Sequence, residues 1–212
     1  MTATAPPKER PEGDEIEVRA RILDAAFTAF MKSGYAAAST LEIATRARVS
    51  KRELYALVGN KHEMLIACIG ARARRFQVPA DFPALRDRET LAHVIASLGS
   101  QLLHEITDPT VIAVFRLAIA EAVRAPEVAQ VLDSVGREAT RAALRQVMAQ
   151  AQASGLLDGH PAKLAEQFGG LLWGNLLVSL LLGVAKRPNS REVAERAREA
   201  TTAFLRLHPP PR

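Results

Sequence analysis

Residues 39–63 read STLEIATRARVSKRELYALVGNKHE and carry three helix-start signals in close succession. In each signal, a short polar side chain that suits the N-cap position is followed three residues later by glutamate. The pairs are Ser39 with Glu42, Ser50 with Glu53, and Asn60 with Glu63. Only Arg48 and Val49 separate the first two predicted helices, and so short a connection predicts a tight helix-turn-helix.

The neighbouring segments supply longer helices on which these short ones can pack. Residues 16–33 have apolar residues at helical spacing and stop before Gly34, which predicts helix one. Further helices are predicted over residues 40–47, 51–57, 61–76, 88–107, 109–124, 126–153, 161–185 and 190–207. No alternating strand pattern occurs, so we expect an all-α fold of nine helices.

Composition predicts two domains and a reducing compartment. The chain has 212 residues, of which 48% are hydrophobic, and this is enough to bury a core. We expect a disordered tail at residues 1–15, a helix-turn-helix domain at 16–75, a helical body at 76–208 and a short tail at 209–212. The first tail lacks an apolar run, so we expect neither a signal peptide nor a membrane anchor. A single cysteine, Cys68, favours the cytoplasm and excludes an intramolecular disulfide.

Positive charge is concentrated in the helix-turn-helix region. The net charge of the chain is +5, whereas residues 46–75 alone hold eight basic and two acidic side chains. The remainder of the chain after residue 75 is nearly neutral. A basic module attached to a neutral body predicts a polyanion partner for that module, although a solvated basic face is the alternative that charge alone leaves open.

Several motifs in this chain resemble the TetR family of transcriptional regulators. They are Gly34-Tyr35 after helix one, IATRARVSKRELY at residues 43–55 and GNK at 59–61. In the body, FRLAIAEAVRAPEVA at 115–129 and AKRPN at 185–189 resemble the AefR-like branch. The resemblance implies a homodimeric repressor with a C-terminal domain for ligand binding and dimerisation. It also implies release from double-stranded DNA by a small effector.

Recognition helices of this kind point their first residues at base edges, which here are Lys51 and Arg52. Arg52 is the better candidate for base reading, since arginine contacts guanine with two hydrogen bonds. The resemblance implies a phosphate contact for Tyr55. The other predicted DNA-binding residues are Ser39, Thr40, Arg48, Ser50 and Lys61. They would position the protein on the DNA backbone, and Arg48 contacts DNA or only alters the turn. Taken singly, each also has an ordinary role as a cap, a packing residue or a solvated charge.

Four positions depart from the usual family pattern: Arg48, Arg52, Ala56 and Val58. Arg48 stands where glycine commonly follows helix two, and a left-handed backbone there would cost about 1 kcal/mol. A phosphate contact would offset that cost. We therefore expect a base-reading surface particular to this chain.

The uncharged run at residues 167–185 has two interpretations. It is long enough to span a bilayer, and Gly170 and Gly174 have the spacing of paired membrane helices. The preferred interpretation is a helix buried between two protomers. The predicted dimer residues are Gly170, Gly174, Leu177, Leu181, Ala197, Ala200, Phe204 and Leu207. A membrane-attached or purely interacting helical protein remains the alternative.

The resemblance places a ligand pocket among the middle helices. The apolar candidates are Phe115, Ile119, Phe168, Leu172, Trp173 and Leu176, with Arg116 and Asn175 as polar groups. Such a pocket would suit a hydrophobic molecule of drug size, and simple core packing is the alternative. Arg116 would bind an anionic ligand or pair with Glu121.

The sequence contains no motif for catalysis or for a metal. No glycine-rich phosphate loop, HExxH or GxSxG occurs, so we expect no enzyme and no cofactor. His93 and His104 are about 16 Å apart on one predicted helix, too far to share a metal ion.

Overall fold

The computed structural model describes residues 12–74 and 84–210. Residues 1–11 of the predicted tail lie outside the described residues. Residues 12–15, the rest of that predicted tail, form the start of the first helix. Residues 75–83, which include the predicted end of helix four, also lie outside, as do 211 and 212.

The chain forms two compact units, residues 1–68 and 69–212. The first unit holds α1 (Glu12–Ser33), α2 (Thr40–Ala47), α3 (Lys51–Val58) and the beginning of α4 (Lys61–Ala73). Helices α2 and α3 have eight residues each, too few for stability alone, and both pack on α1. The fully buried side chains of this unit include Ile22, Phe30, Ile43, Leu54 and Met64.

The second unit holds the end of α4 and a larger helical body. Its helices are α5 (Arg88–Ile106), α6 (Pro109–Glu121), α7 (Pro126–Val131), α8 (Glu138–Ala153), α9 (Pro161–Trp173), α10 (Leu176–Leu182) and α11 (Ser190–Leu207). A π-helical segment, Leu132–Arg137, joins α7 to α8 without interruption. Helices α5, α8, α9 and α11 enclose the core, where the rings of Phe168 and Phe204 meet edge-on at 5.5 Å. Residues 12–74 and 84–210 contain no strand, which confirms the all-α prediction.

The predicted helix over residues 161–185 is wrong, because it is broken after Trp173. Gly174 has φ 42° and ψ −133°, a conformation that only glycine adopts without strain. Helices α9 and α10 bend by 54° across the break. Counting α7, the π-helical segment and α8 as one continuous helix, the described residues form ten helices where nine were predicted.

An arginine from α11 stabilises this break. Arg196 donates hydrogen bonds to the carbonyl oxygens of Leu172 at 2.7 Å and Trp173 at 2.9 Å. These carbonyls would otherwise lack partners at the end of α9, and a cation there also opposes the negative end of the helix dipole.

Two further arginines cap helix ends in the same way. Arg88 donates to the carbonyl oxygens of Leu156, Leu205 and His208 at 2.7–2.8 Å. Arg116 donates to those of Leu180 and Leu181 at the end of α10. Arg116 therefore holds the end of α10, and its expected contact with a ligand or with Glu121 stays a prediction.

The broken helix also bears on the membrane alternative. Among the described residues, no single helix is long and apolar enough to cross a membrane. Helices α9 and α10 meet the requirements of length and composition only as a bent pair.

Among the described residues, Arg48 is the one residue other than glycine that has a positive φ, at φ 56° and ψ 46°. It follows the last residue of α2, as the sequence predicts. The N–H of Val49 reaches the Ala44 oxygen at 3.0 Å, and the N–H of Arg48 reaches the Thr45 oxygen at 3.1 Å. These two bonds form a Schellman motif, which ends the helix and turns the chain towards α3.

We expect Gly174→Ala to destabilise the protein by about 1–3 kcal/mol, because alanine is strained at this φ and ψ. Its Cβ would also lie 2.8 Å from Arg196 Nη2 and displace the cap. Urea unfolding at fixed protein concentration measures the loss. Gly13→Ala, in α1 with open space around the added Cβ, is the control and should cause no loss.

Arg48→Gly should stabilise the protein by about 1 kcal/mol, since it removes the left-handed strain at this position. Arg46→Gly, two residues earlier in α2, should instead cost about 1 kcal/mol, because glycine weakens a right-handed helix. The two urea midpoints must move in opposite directions. Equal losses would show that Arg48 is not strained.

Candidate nucleic-acid interface and ligand cavity

Helix α3 presents one exposed face, formed by Lys51, Arg52, Tyr55 and Ala56. Leu54 and Val58 are buried on the opposite side and fix the orientation of this face. Ser50 begins the helix, because its Oγ accepts a hydrogen bond from the backbone N–H of Glu53 at 3.1 Å. Ala56 was absent from the predicted contact residues. Its position four residues after Arg52 is the signal that could have identified it.

Exposed cationic side chains lie on both sides of the turn between α2 and α3. Arg46 and Arg48 come from the end of α2, and Lys51 and Arg52 from the start of α3. The turn is short and closed by the Schellman motif, so these four charges are held on adjoining backbone. Four exposed cations on adjoining backbone suit contacts with the phosphate groups of a nucleic acid.

A hydrogen bond joins the predicted phosphate-binding residues Thr40 and Tyr55. The Tyr55 hydroxyl donates to Thr40 Oγ1 at 3.4 Å. Ser39 caps the same end of α2, where its Oγ accepts from the backbone N–H of Leu41 at 3.2 Å. The structure thus brings the start of α2 and the middle of α3 together, which sequence spacing alone does not require.

The start of α4 is capped by its own side chains. Asn60 Oδ1 accepts from the backbone N–H groups of His62 and Glu63, and Glu63 Oε2 accepts from the Asn60 N–H at 2.7 Å. This is a complete capping box, so these amides are already satisfied. A Cβ at Gly59 would collide with the Glu63 carboxylate, which explains the glycine.

Lys61 is likewise committed within the protein. Its Nζ donates to the carbonyl oxygens of Tyr35 at 3.0 Å and Ala36 at 3.1 Å, and it lies 4.7 Å from the centre of the Tyr35 ring. An ammonium group has three N–H donors, so one remains for an anion. Lys61 therefore holds α4 to the end of α1, and its phosphate contact stays a prediction.

The second unit contains a cavity of about 580 Å³. Its apolar wall includes Ile106, Val111, Val114, Phe115, Leu132, Leu144, Trp173 and Leu177. The charged side chains that line it are Arg72, Arg137, Arg141, Arg145 and Glu166. Ile69, Arg72 and Ala73 of α4 form part of the wall. The volume falls within the range of small-molecule sites, about 300–1,000 Å³.

The cavity includes two of the predicted ligand residues, Phe115 and Trp173. The other six do not line it. Phe168 and Leu172 are fully buried in the core, and Leu176 packs against that core. Ile119 is 62% exposed on α6, Asn175 is exposed after the break, and Arg116 caps α10. Ligand contacts by these six residues stay predictions, and the cavity adds other residues to the candidates.

Sequence reasoning missed the arginines at the cavity. Arg137, Arg141 and Arg145 recur every four residues, a spacing that places them along one side of a helix. Asp133 Oδ1 accepts from Arg137 at 2.7 Å and from Arg141 at 2.9 Å, while Glu138 Oε1 accepts from Arg145 at 2.7 Å. The four-residue repeat was the available signal.

Three of the eight predicted dimer residues are buried within the protomer, and the other five stay predictions. Ala197, Ala200 and Phe204 are buried within the core of the protomer, so they cannot contact a partner. Gly170 and Leu177 line the cavity, and Gly174 breaks the helix. Leu181 is half-buried, and Leu207 is exposed. The exposed apolar side chains of α10 are instead Val178 and Leu182.

Cys68 and His93 each contact a backbone carbonyl oxygen of their own protomer. Cys68 is buried, and its Sγ contacts the Leu23 carbonyl oxygen at 3.4 Å. His93 is exposed and bonded through Nδ1 to the Glu89 carbonyl oxygen. Within residues 12–74 and 84–210, no group of three or more His, Cys, Asp or Glu side chains could hold a metal ion.

The architecture is similar to several solved structures. The Flavonoid-responsive Regulator FrrA is 27% identical, with a TM-score of 0.77, and the match covers 92% of this chain and 98% of that one. A TetR transcriptional regulator from Agrobacterium tumefaciens is 26% identical, with a TM-score of 0.74 and coverage of 90% and 94%. A putative TetR-family transcriptional regulator from Mesorhizobium loti MAFF303099, 21% identical with a TM-score of 0.73 and coverage of 92% and 98%, shares the fold.

Comparison with curated protein sequences finds no match. Two family models do match. The model described as "Bacterial regulatory proteins, tetR family" matches residues 22–68, and that of the "AefR-like transcriptional repressor, C-terminal domain" matches residues 93–208. TetR-family regulators bind DNA and small-molecule effectors, act as dimers and are generally not enzymes. Because the second model alone spans more than half of the chain, this protein belongs to the TetR family and is a ligand-responsive, DNA-binding transcriptional regulator.

Proposed function

We propose that this protein is a repressor that binds an inverted-repeat operator as a homodimer and is released by a small, largely apolar molecule. The exposed face of α3 carries the proposal, because basic side chains there stand beside a rigid turn. A regulator of this kind works in the cytoplasm, where the DNA is, and needs no catalytic group.

On the operator, Arg52 donates two hydrogen bonds to a guanine, and Lys51 donates to a neighbouring base. Ala56 packs against a thymine methyl group, because its small apolar side chain lies on the same exposed face. Thr40 and Tyr55, already joined to each other, bind one phosphate group. Arg46 and Arg48 bind phosphates beside it without reading sequence.

The cavity is the proposed effector site. Ile69, Arg72 and Ala73 belong both to its wall and to α4, and α4 begins in the first unit with Lys61. A ligand that favours one position of α4 would therefore change the spacing of two recognition helices in a dimer. The ligand can shift the equilibrium between the two spacings only by the difference in its affinity for them. The name of FrrA says that this relative responds to flavonoids, which supports a small organic effector.

The proposed dimer face includes Val178 and Leu182 on α10. They are four residues apart, and therefore on one side of the helix, and are 54% and 72% exposed. Apolar side chains this exposed suit contact with a second protomer.

Selection of fragments from random DNA should return an inverted repeat whose half-sites are separated by whole helical turns of about 34 Å.

Arg52→Ala should relax the base preference at one position in each half-site, at a cost of about 1–3 kcal/mol. Arg48→Gly is the matched control: it should weaken all fragments alike and lower the salt slope by about one. Selected fragments without two-fold symmetry would overturn the proposed operator.

The double substitution Val178→Glu with Leu182→Glu should convert the dimer into a monomer of 23.0 kDa, because the new carboxylates would be buried without partners. Sedimentation measures the mass directly. Ile16→Glu, at an equally exposed apolar residue of α1, should leave the dimer intact. A dimeric double variant would exclude this face of α10 from the interface.

A further inference from the structure

The charge at the mouth of the cavity identifies the chemical class of the effector. Arg137, Arg141 and Arg145 line the cavity with side chains that are 53, 43 and 41% exposed. Guanidinium groups at such exposure lie at the rim, while the apolar residues form the interior. The cavity is therefore amphipathic, with one charged end.

The rim holds more positive than negative charge. Three guanidinium groups share two carboxylates, and Arg137 and Arg141 even share one oxygen, Asp133 Oδ1. The Arg141–Glu138 contact is looser, at 3.7 Å. Arg72 and Glu166, which also line the cavity, add one charge of each sign. The excess is therefore a single positive charge.

These charges persist at neutral pH. The hydrogen bond from Arg141 lowers the pKa of the Asp133 carboxyl, and that from Arg145 lowers the pKa of the Glu138 carboxyl. The bond to Asp133 raises the pKa of Arg141. Each arginine uses one or two of its five N–H groups in these pairs, which leaves donors for a further oxyanion.

We propose that the effector is an amphipathic organic monoanion, whose carboxylate binds at Arg141 and Arg145 and whose apolar body fills the cavity beside Phe115 and Trp173. This inference rests on the proposed effector site and adds the charge of the ligand. Two carboxylates do not neutralise three guanidinium groups, and an exposed network of this kind adds little to stability. An anion supplies the third negative charge at the rim.

Trp173 makes binding directly observable, because it is the one tryptophan of the chain and it lines the cavity. The full-length protein is titrated with decanoate, methyl decanoate and decylammonium, which share an apolar body and differ in charge. Tryptophan fluorescence reports binding. Decanoate should bind about tenfold more tightly than the ester, and decylammonium more weakly than both, since one charged hydrogen bond is worth about a factor of ten.

Two substitutions at the rim should act in opposite directions. Arg141→Gln should weaken decanoate binding about tenfold, and Glu138→Gln should strengthen it by freeing Arg145 and Arg141. Neither should change the affinity for methyl decanoate. Arg86→Gln, an exposed arginine outside the cavity, is the matched control and should change nothing.

Equal binding of acid and ester, binding of neither, or an Arg141→Gln variant that loses both alike would overturn the monoanion. These outcomes differ from failure of the proposed function. Suppose that methyl decanoate releases the protein from an inverted-repeat operator as effectively as decanoate does. The proposed repressor and its effector cavity would then stand, and only the charge preference would be excluded. The absence of such an operator would contradict the repressor independently of any ligand.

Discussion

The arrangement of the second unit depends on how α9 ends. Arg196 bonds to the last two carbonyls of that helix, and Gly174 then takes a backbone conformation closed to other residues. The long uncharged run is thereby divided into two helices with different directions. Phe168 and Leu172 face the core before the break, while Val178 and Leu182 face outward after it. One terminus and its arginine cap thus decide which apolar residues form core and which form surface.

The same chemistry recurs where other helices end. Arg88 and Arg116 also place guanidinium groups on terminal carbonyls, which satisfies polar groups that a tightly packed helical body must accommodate. Three arginines are therefore structural, and a different set lines the cavity. Arg88, Arg116 and Arg196 are held by carbonyls at helix ends, whereas the three rim arginines are held by Asp133 and Glu138. Only the second kind adjoins space for a ligand.

Local sequence signals predicted the helix-turn-helix well. Ser39, Ser50 and Asn60 cap their helices through bonds to residues two or three positions away, so neighbouring sequence contains both partners. The left-handed Arg48 was also foreseeable, because two-residue turns restrict backbone geometry. The role of Lys61 was not, since the carbonyls that bind it lie 25 and 26 residues earlier. Reasoning from spacing identified the charge but not its partner.

The sequence by itself determined the all-helical class, the family motifs and the exposed face of α3, because these depend on residues within one or two turns of helix. Only the tertiary structure decided the cavity, the buried position of Ala197, Ala200 and Phe204, and the break at Gly174. A side chain's surroundings there depend on helices far apart in the chain. In a helix that is apolar on all sides, the local sequence is the same around a residue that faces the core, the cavity or the solvent. Only tertiary packing decides which of these three surroundings the residue has.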